Sequence, residues 1–331
     1  MKDLFLTTDE RALLDKAASW PGCAWAELSP EIVQQHARRE GTDFATALMY
    51  ERLCSSSEHG PFIRAVDATP DTTEARALLR DVTVAVVPGA FYLEHPETGA
   101  DGRFVLDEAA RLGCRTACVP LLSFGPLHEN ARRLLDWLDR QPPQPIVLVS
   151  LSKAGAEVRL ALADPSAGDR FRHVVTWINL SGLVCGTAMV NWLFKQRLRA
   201  LAVRLLFWWN GYSYTALHEM ERRPETLDAG FHVPEELPAV HLYGFPLVKH
   251  LSRPIARRGH SRLTPLGPND GGANLLADLV GLPGVIYPVW GADHYLQPAW
   301  DMNGLVRRLL LYVAEQRLGS AALAGTESEQ S

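Results

Sequence analysis

Pro145-Ile146-Val147-Leu148-Val149-Ser150-Leu151-Ser152-Lys153-Ala154-Gly155 decides how this chain is read. Ile146 to Val149 is an apolar, largely β-branched run, as in a strand buried on both faces. A helix-forming stretch, Lys153 to Ala163, follows without a spacer. Ser152 stands at the junction, with small residues at Ser150, Ala154 and Gly155. A strand-to-helix turn this sharp excludes bulk on either side. It lifts the central side chain above the sheet edge and aims the first helical N–H groups at whatever binds there. Ser152 is therefore the candidate nucleophile. Ser150, still inside the strand, is the small residue such a turn requires.

Outward from this turn the chain alternates. Val82 to Val87 is a near-continuous β-branched strand ending in Pro88-Gly89, and Thr116 to Leu121 is another. Helices are expected at Phe104–Leu112 and His128–Arg140. Downstream, strands are expected at His173–Leu180, Ala239–Leu247 and Gly284–Trp290, with a closing amphipathic helix from Asn303 to Gln316. This rhythm predicts an α/β fold built on a doubly wound, mostly parallel sheet. Residues 186–237 interrupt it with a helical insertion rich in aromatics: Trp192, Phe194, Phe207, Trp208, Trp209, Tyr212 and Tyr214.

Residues 1–78 read mainly as helix. Thr8 resembles an N-cap, Ser29-Pro30 supplies a cap and a first-turn proline, and Asp43 to Leu53 forms a further helix. Such a block suits a cap, a dimerisation arm or a packing layer, and the sequence does not choose among them. The expected organisation is a helical N-terminal extension (1–78), a catalytic domain (79–318) and a flexible tail (319–331).

With 331 residues, 47% hydrophobic content and a formal charge of −5, the chain can bury a full core and lacks the basic excess of a nucleic-acid binder. The basic run Lys249 to Arg262 reads as a solvated helix face. No apolar run approaches the roughly 18 uncharged residues of a membrane span, and the first ten residues have no secretion-signal character. Cys23, Cys54, Cys114, Cys118 and Cys185 are odd in number and scattered. They are expected to be reduced, buried thiols of a cytoplasmic protein.

A serine needs a base within hydrogen-bond reach and a third group to orient that base. In a sheet of this kind reactive groups collect at the carboxyl ends of strands. His294 follows the last strand by a short Gly-Ala-Asp turn and is the best base of eleven histidines. Asp270, in Gly-Pro-Asn-Asp-Gly-Gly, is the best acid; Asp293 and Asp278 are its rivals. The oxyanion hole needs two convergent N–H groups. One is expected from Lys153. The other is expected from Ala90 or Phe91 in the loop after the first buried strand, where Gly89 permits close approach.

Taken together, strand, small-x-Ser-x-small, helix, then Asp and His in that order, resembles the α/β-hydrolase superfamily over residues 80–318. The resemblance implies that Ser152 attacks an ester-like carbonyl, His294 takes its proton, Asp270 holds the imidazole, and residues 186–237 form the lid. The chain departs from the usual pattern with Ser150 and Ala154 where glycine is common. Its oxyanion loop is closer to the Pro-Gly-Ala type of some thioesterases, and a helical N-terminal block replaces the opening hairpin. The expected activity is cleavage of a carboxylic ester bearing an apolar group, with no metal or organic cofactor implied. The runner-up is an acyl thioesterase acting on a carrier- or CoA-bound chain. From another class, a non-catalytic scaffold would use the helical block as its interaction surface. A homo-oligomer is compatible with that block as a dimerisation arm.

Overall fold

The computed structural model describes residues 6–22, 24–223, 233–251, 253–296 and 302–319. Six strands, β1 (Thr83–Val87), β2 (Arg115–Cys118), β3 (Ile146–Leu151), β4 (Val174–Leu180), β5 (Ala239–Phe245) and β6 (Val285–Trp290), form one sheet. Its order is β2-β1-β3-β4-β5-β6, and every pairing is parallel. The expected α/β architecture is present, and the strand boundaries differ from expectation by a few residues at most. Pro288 pairs with Tyr243 in β6, an edge strand, where a missing N–H can face away from the ladder.

The alternation of side chains divides the core into two layers. Ala85, Val87, Ile146, Leu148, Tyr243 and Phe245 face one side, while Val84, Val86, Val147, Val149, Ile178 and Leu242 face the other. The first layer is covered by helices Leu127–Asp139 and Ala154–Leu162 together with the three helices Thr8–Ser19, Pro30–Glu40 and Thr42–Ser55. The second is covered by Gly60–Ala68, Arg103–Arg111 and Met302–Val313. The N-terminal helices are thus packed on both faces of the sheet, and Phe44, Met49 and Leu53 are as buried as the central strands. Thr7, one residue earlier than expected, caps the first helix by accepting from Glu10 N. Ser29 and Pro30 act as read.

Glu10 ties this block to the sheet. Its carboxylate accepts from Lys249 Nζ at 2.6 Å, His250 Nε2 at 3.0 Å and Trp290 Nε1 at 3.3 Å. Burial alone would raise its pKa, but these three donors outweigh that and hold it at about 2. Tyr50 adds edge-to-face contacts with Phe245 and Trp290, at centroid distances of 5.8 and 4.9 Å.

Among the described residues no helix is long and apolar enough to cross a membrane. Of the cysteines, Cys114 is buried, Cys54 and Cys185 are half-buried and Cys118 is exposed at the end of edge strand β2, so the expectation of uniformly buried thiols holds only for Cys114. Cys23 and the tail from residue 320 lie outside the described residues, as do residues 224–232 of the insertion.

Candidate active site

The turn between β3 and the helix Ala154–Leu162 has the conformation its sequence demands. Ser152 adopts φ 50°, and its N–H donates to Leu180 O at the end of β4. A Cβ on Gly155 would lie 2.9 Å from Asn179 Oδ1 and 2.9 Å from Gly182 Cα, so nothing larger than glycine fits there. Ser150 points into the sheet. Its hydroxyl donates to Asn179 Oδ1 at 2.9 Å and accepts from Trp177 Nε1 at 2.8 Å, which removes it from the surface where Ser152 stands. Asn179 Nδ2 in turn lies 3.0 Å from His241 Nδ1, and His241 Nε2 lies 3.0 Å from Pro283 O. That geometry assigns the His241 proton to Nε2. Burial pushes His241 down to about 4, so it stays neutral beneath the elbow.

Ser152 Oγ is 2.9 Å from His294 Nε2, and His294 Nδ1 is 3.2 Å from Asp270 Oδ2. The structure therefore brings together all three residues singled out in the sequence, across separations of 142 and 24 positions. The fully buried Asp270 is fixed by its own turn: Oδ1 accepts from Gly272 N at 2.8 Å and Ala273 N at 2.6 Å. Its carbonyl accepts from His294 N at 2.8 Å, so backbone and side chain hold the same partner. Burial would lower the His294 pKa, but the charge and hydrogen bond of Asp270, with the charge of Asp293, outweigh it and raise the value. The rivals are engaged elsewhere. Asp278 pairs with Arg222 and accepts from Asn274 N, and Asp293 accepts from Tyr295 N at 2.9 Å.

The loop after β1 approaches the elbow closely. A Cβ on Gly89 would stand 3.1 Å from Leu151 O and 3.5 Å from Ser152 Cβ. Phe91 N–H donates to Ser123 O at 3.0 Å, whereas the amides of Ala90 and Lys153 have no hydrogen-bond partner among the described residues. Both line the same cavity as Ser152 and His294. Lys153 carries its ammonium away from the serine, into a buried ion pair with Glu157.

That cavity measures about 930 Å³. The 186–237 insertion roofs it with Thr187, Met189, Val190, Leu217 and Met220, and none of the insertion's aromatics among the described residues lines the space. The aromatics anchor the roof instead: Phe207 and Tyr212 pack against Phe91 and Phe124, which stack at 4.4 Å. Trp208 and Trp209 point outward and are exposed.

Two features escaped the sequence reading. Gly272 belongs to the Asp270 turn, where glycine is expected for turn chemistry alone, yet it also leaves the space that the His294 ring fills. Part of the basic run lines the cavity: Arg253, Arg258 and Arg262 belong to its wall as well as to a solvated helix face. Helical spacing puts Arg258 and Arg262 on one face, but which face meets the cavity is not written in the run itself.

Six parallel strands flanked by helices, with the elbow after β3, define an α/β-hydrolase fold. The same fold is found in the metagenomic carboxyl esterase MGS0156, which matches over 71% of this chain and 76% of its own at 18% identity, with a TM-score of 0.55. The mature lipase BlEst2 of Bacillus licheniformis matches over 65% of this chain and 84% of its own, also at 18% identity, with a TM-score of 0.48. No protein-family model and no curated protein sequence matches the chain.

Proposed function

We propose that the protein is a serine hydrolase that cleaves a carboxylic ester through an acyl-enzyme. The observation that carries this reading is the continuous relay Ser152 Oγ–His294–Asp270 at 2.9 and 3.2 Å, opening on a cavity with two unengaged amides. Ser152 Oγ attacks the carbonyl carbon as His294 Nε2 takes its proton. The oxyanion that forms is held by the N–H groups of Lys153 and Ala90; Phe91, whose amide serves Ser123, is not the donor. His294 then protonates the leaving alcohol, and the C–O bond breaks. Water, deprotonated by the same imidazole, attacks the acyl-enzyme, and collapse of the second tetrahedral intermediate returns the proton to Ser152. Asp270 keeps the imidazole in the tautomer with Nδ1–H and stabilises the imidazolium between these steps. The apolar roof (Val190, Leu217 and Met220) accommodates an apolar acyl chain. The reading is tested with a fluorophosphonate probe and p-nitrophenyl esters. Wild type should label and turn over, and Ser152→Ala should do neither. Equal labelling of both would refute it and favour a non-catalytic role.

A further inference from the structure

Eight of the 28 arginines are paired with a carboxylate among the described residues. Arg76, Arg111, Arg115, Arg133, Arg170, Arg222, Arg223 and Arg307 each meet an aspartate or glutamate. Arg253, Arg258 and Arg262 line the cavity, and none meets a carboxylate among the described residues. Arg253 donates to a backbone carbonyl, Glu97 O, at 3.0 Å. The Arg258 guanidinium has no hydrogen-bond partner among the described residues. Arg262 lies over the Trp192 ring at 4.2 Å, and Arg199 lies over the same ring at 3.5 Å. Arg199 also donates to Trp192 O and Gln196 Oε1, so of the two it is Arg262, held only by the ring face, that keeps its charge uncompensated beside the cavity. Among the described residues one carboxylate lines the cavity, Glu97; it is engaged by His95 Nδ1 at 3.1 Å, and its own backbone N–H, with the nearby Arg253 charge, also lowers its pKa, so the cations without a carboxylate beside them are Arg258 and Arg262. A concentration of cations on a protein of net charge −5 is a local feature, not a reflection of composition.

The arginines are also held in fixed relation to the reacting atoms. Ile255, Arg258, Gly259 and Arg262 share one face of the helix Pro254–Leu263, and all four line the cavity. A Cβ on Gly259 would stand 2.2 Å from Gly271 O, so this helix packs directly on the turn that carries Asp270. The face that carries the cations is thereby docked to the segment that orients His294.

We propose that this wall binds a phosphate group of the substrate. Resting on the hydrolase reading above, the molecule cleaved is then an amphiphile, with an apolar acyl chain under the roof and a phosphate on the alcohol or thiol side of the scissile bond. A single guanidinium fork saturates a carboxylate, whereas a phosphate, with at least two charged or partly charged free oxygens arranged tetrahedrally, accepts from two or more, which matches arginines gathered on one rim. A lipid headgroup and a phosphorylated thiol carrier present the same chemistry.

The wall is tested first without turnover. On Ser152→Ala, octyl phosphate should bind about tenfold more tightly than octanol by calorimetry, and 0.5 M salt should erase most of the difference. Combining Arg258→Ala with Arg262→Ala should bring the two affinities together; if that variant does not fold, the salt dependence of the parent still decides. Equal binding of octyl phosphate and octanol overturns the proposal. Turnover then identifies the source. A higher kcat/KM for decanoylglycerol 3-phosphate than for decanoylglycerol points to a lipid, and a higher value for decanoyl-CoA than for its N-acetylcysteamine thioester points to a carrier. Turnover with no preference in either pair overturns the phosphate wall and spares the hydrolase reading. Phosphate binding without any turnover or probe labelling does the reverse.

Discussion

Gly272 lies directly against the imidazole of His294: a Cβ added to it would stand 2.5 Å from Nδ1 and 2.6 Å from Cγ. The same residue donates its N–H to Asp270 Oδ1. One glycine therefore sets the positions of both His294 and Asp270.

Gly272→Ala should displace the ring without touching substrate. A shift on the order of 1 Å in a reacting group costs about 100-fold in rate. The expected outcome is a kcat roughly 100-fold lower, with KM little changed and a melting temperature close to wild type. Steady-state kinetics with a p-nitrophenyl ester alongside thermal unfolding would check it, and unchanged kcat would mean that the ring tolerates the intrusion.

Asp270→Asn should lower kcat by roughly 10³- to 10⁴-fold, because the amide cannot hold the Nδ1–H tautomer or stabilise the imidazolium. The pH profile supplies a second readout. Catalysis needs neutral His294, and its raised pKa puts the acid limb above the ordinary histidine value of about 6.5. Activity should rise with pH through that limb. Removing the Asp270 charge should move the limb of the residual activity to lower pH. A limb that stays in place would give the electrostatic role to Asp293 instead.

Asn179 joins Ser150 to His241 beneath the elbow. Replacing it with leucine would leave the Ser150 hydroxyl proton and His241 Nδ1 without their partner, each worth about 1–3 kcal/mol. Asn179→Leu should lower the urea midpoint accordingly. It should also reduce probe labelling at Ser152, because Asn179 Oδ1 packs against Gly155 and Gly182. An unchanged midpoint would mean that the network contributes nothing net.

Glu10 gives the fold an acid-sensitive anchor. Its folded pKa of about 2 lies below the ordinary 4.5, so its contribution is complete above about 4.5 and is lost as pH falls towards 2. Glu10→Gln should be less stable than wild type at pH 7, and the gap should narrow between pH 4.5 and 2. Denaturant midpoints measured across that range would check the sign; a gap that widens on acidification would contradict it.

The central strands were readable because they are buried on both faces, which leaves an uninterrupted apolar signature such as Val82–Val87 or Ile146–Val149, whereas edge strand β2 is largely exposed. The meeting of Ser152, His294 and Asp270 was readable because strand ends in a parallel sheet converge, so that sequence order restricts which histidine and aspartate can reach Ser152. What could not be read was partnership. The apolar content of Thr42–Ser55 says that this helix is buried, not that it lies on β5 and β6 with Thr8–Ser19 packed against it. Likewise Lys249–Arg262 announces charge, while the side of its helix that meets a cavity depends on the packing of Gly259 against Gly271. The choice between Ala90 and Phe91 depended on a single long-range bond, from Phe91 to Ser123, for which no local pattern exists.

Phe91, Ser152 and Leu296 all line the cavity, and all have positive φ, at 58°, 50° and 56°. An L-residue in this region costs about 1–2 kcal/mol, and such residues persist only where their surroundings hold them. The fold therefore carries a standing thermodynamic debt concentrated at its reactive end. Ser152→Gly should make the protein inert and, at the same time, raise its melting temperature. The most durable version of this molecule would then be one that has given up its nucleophile.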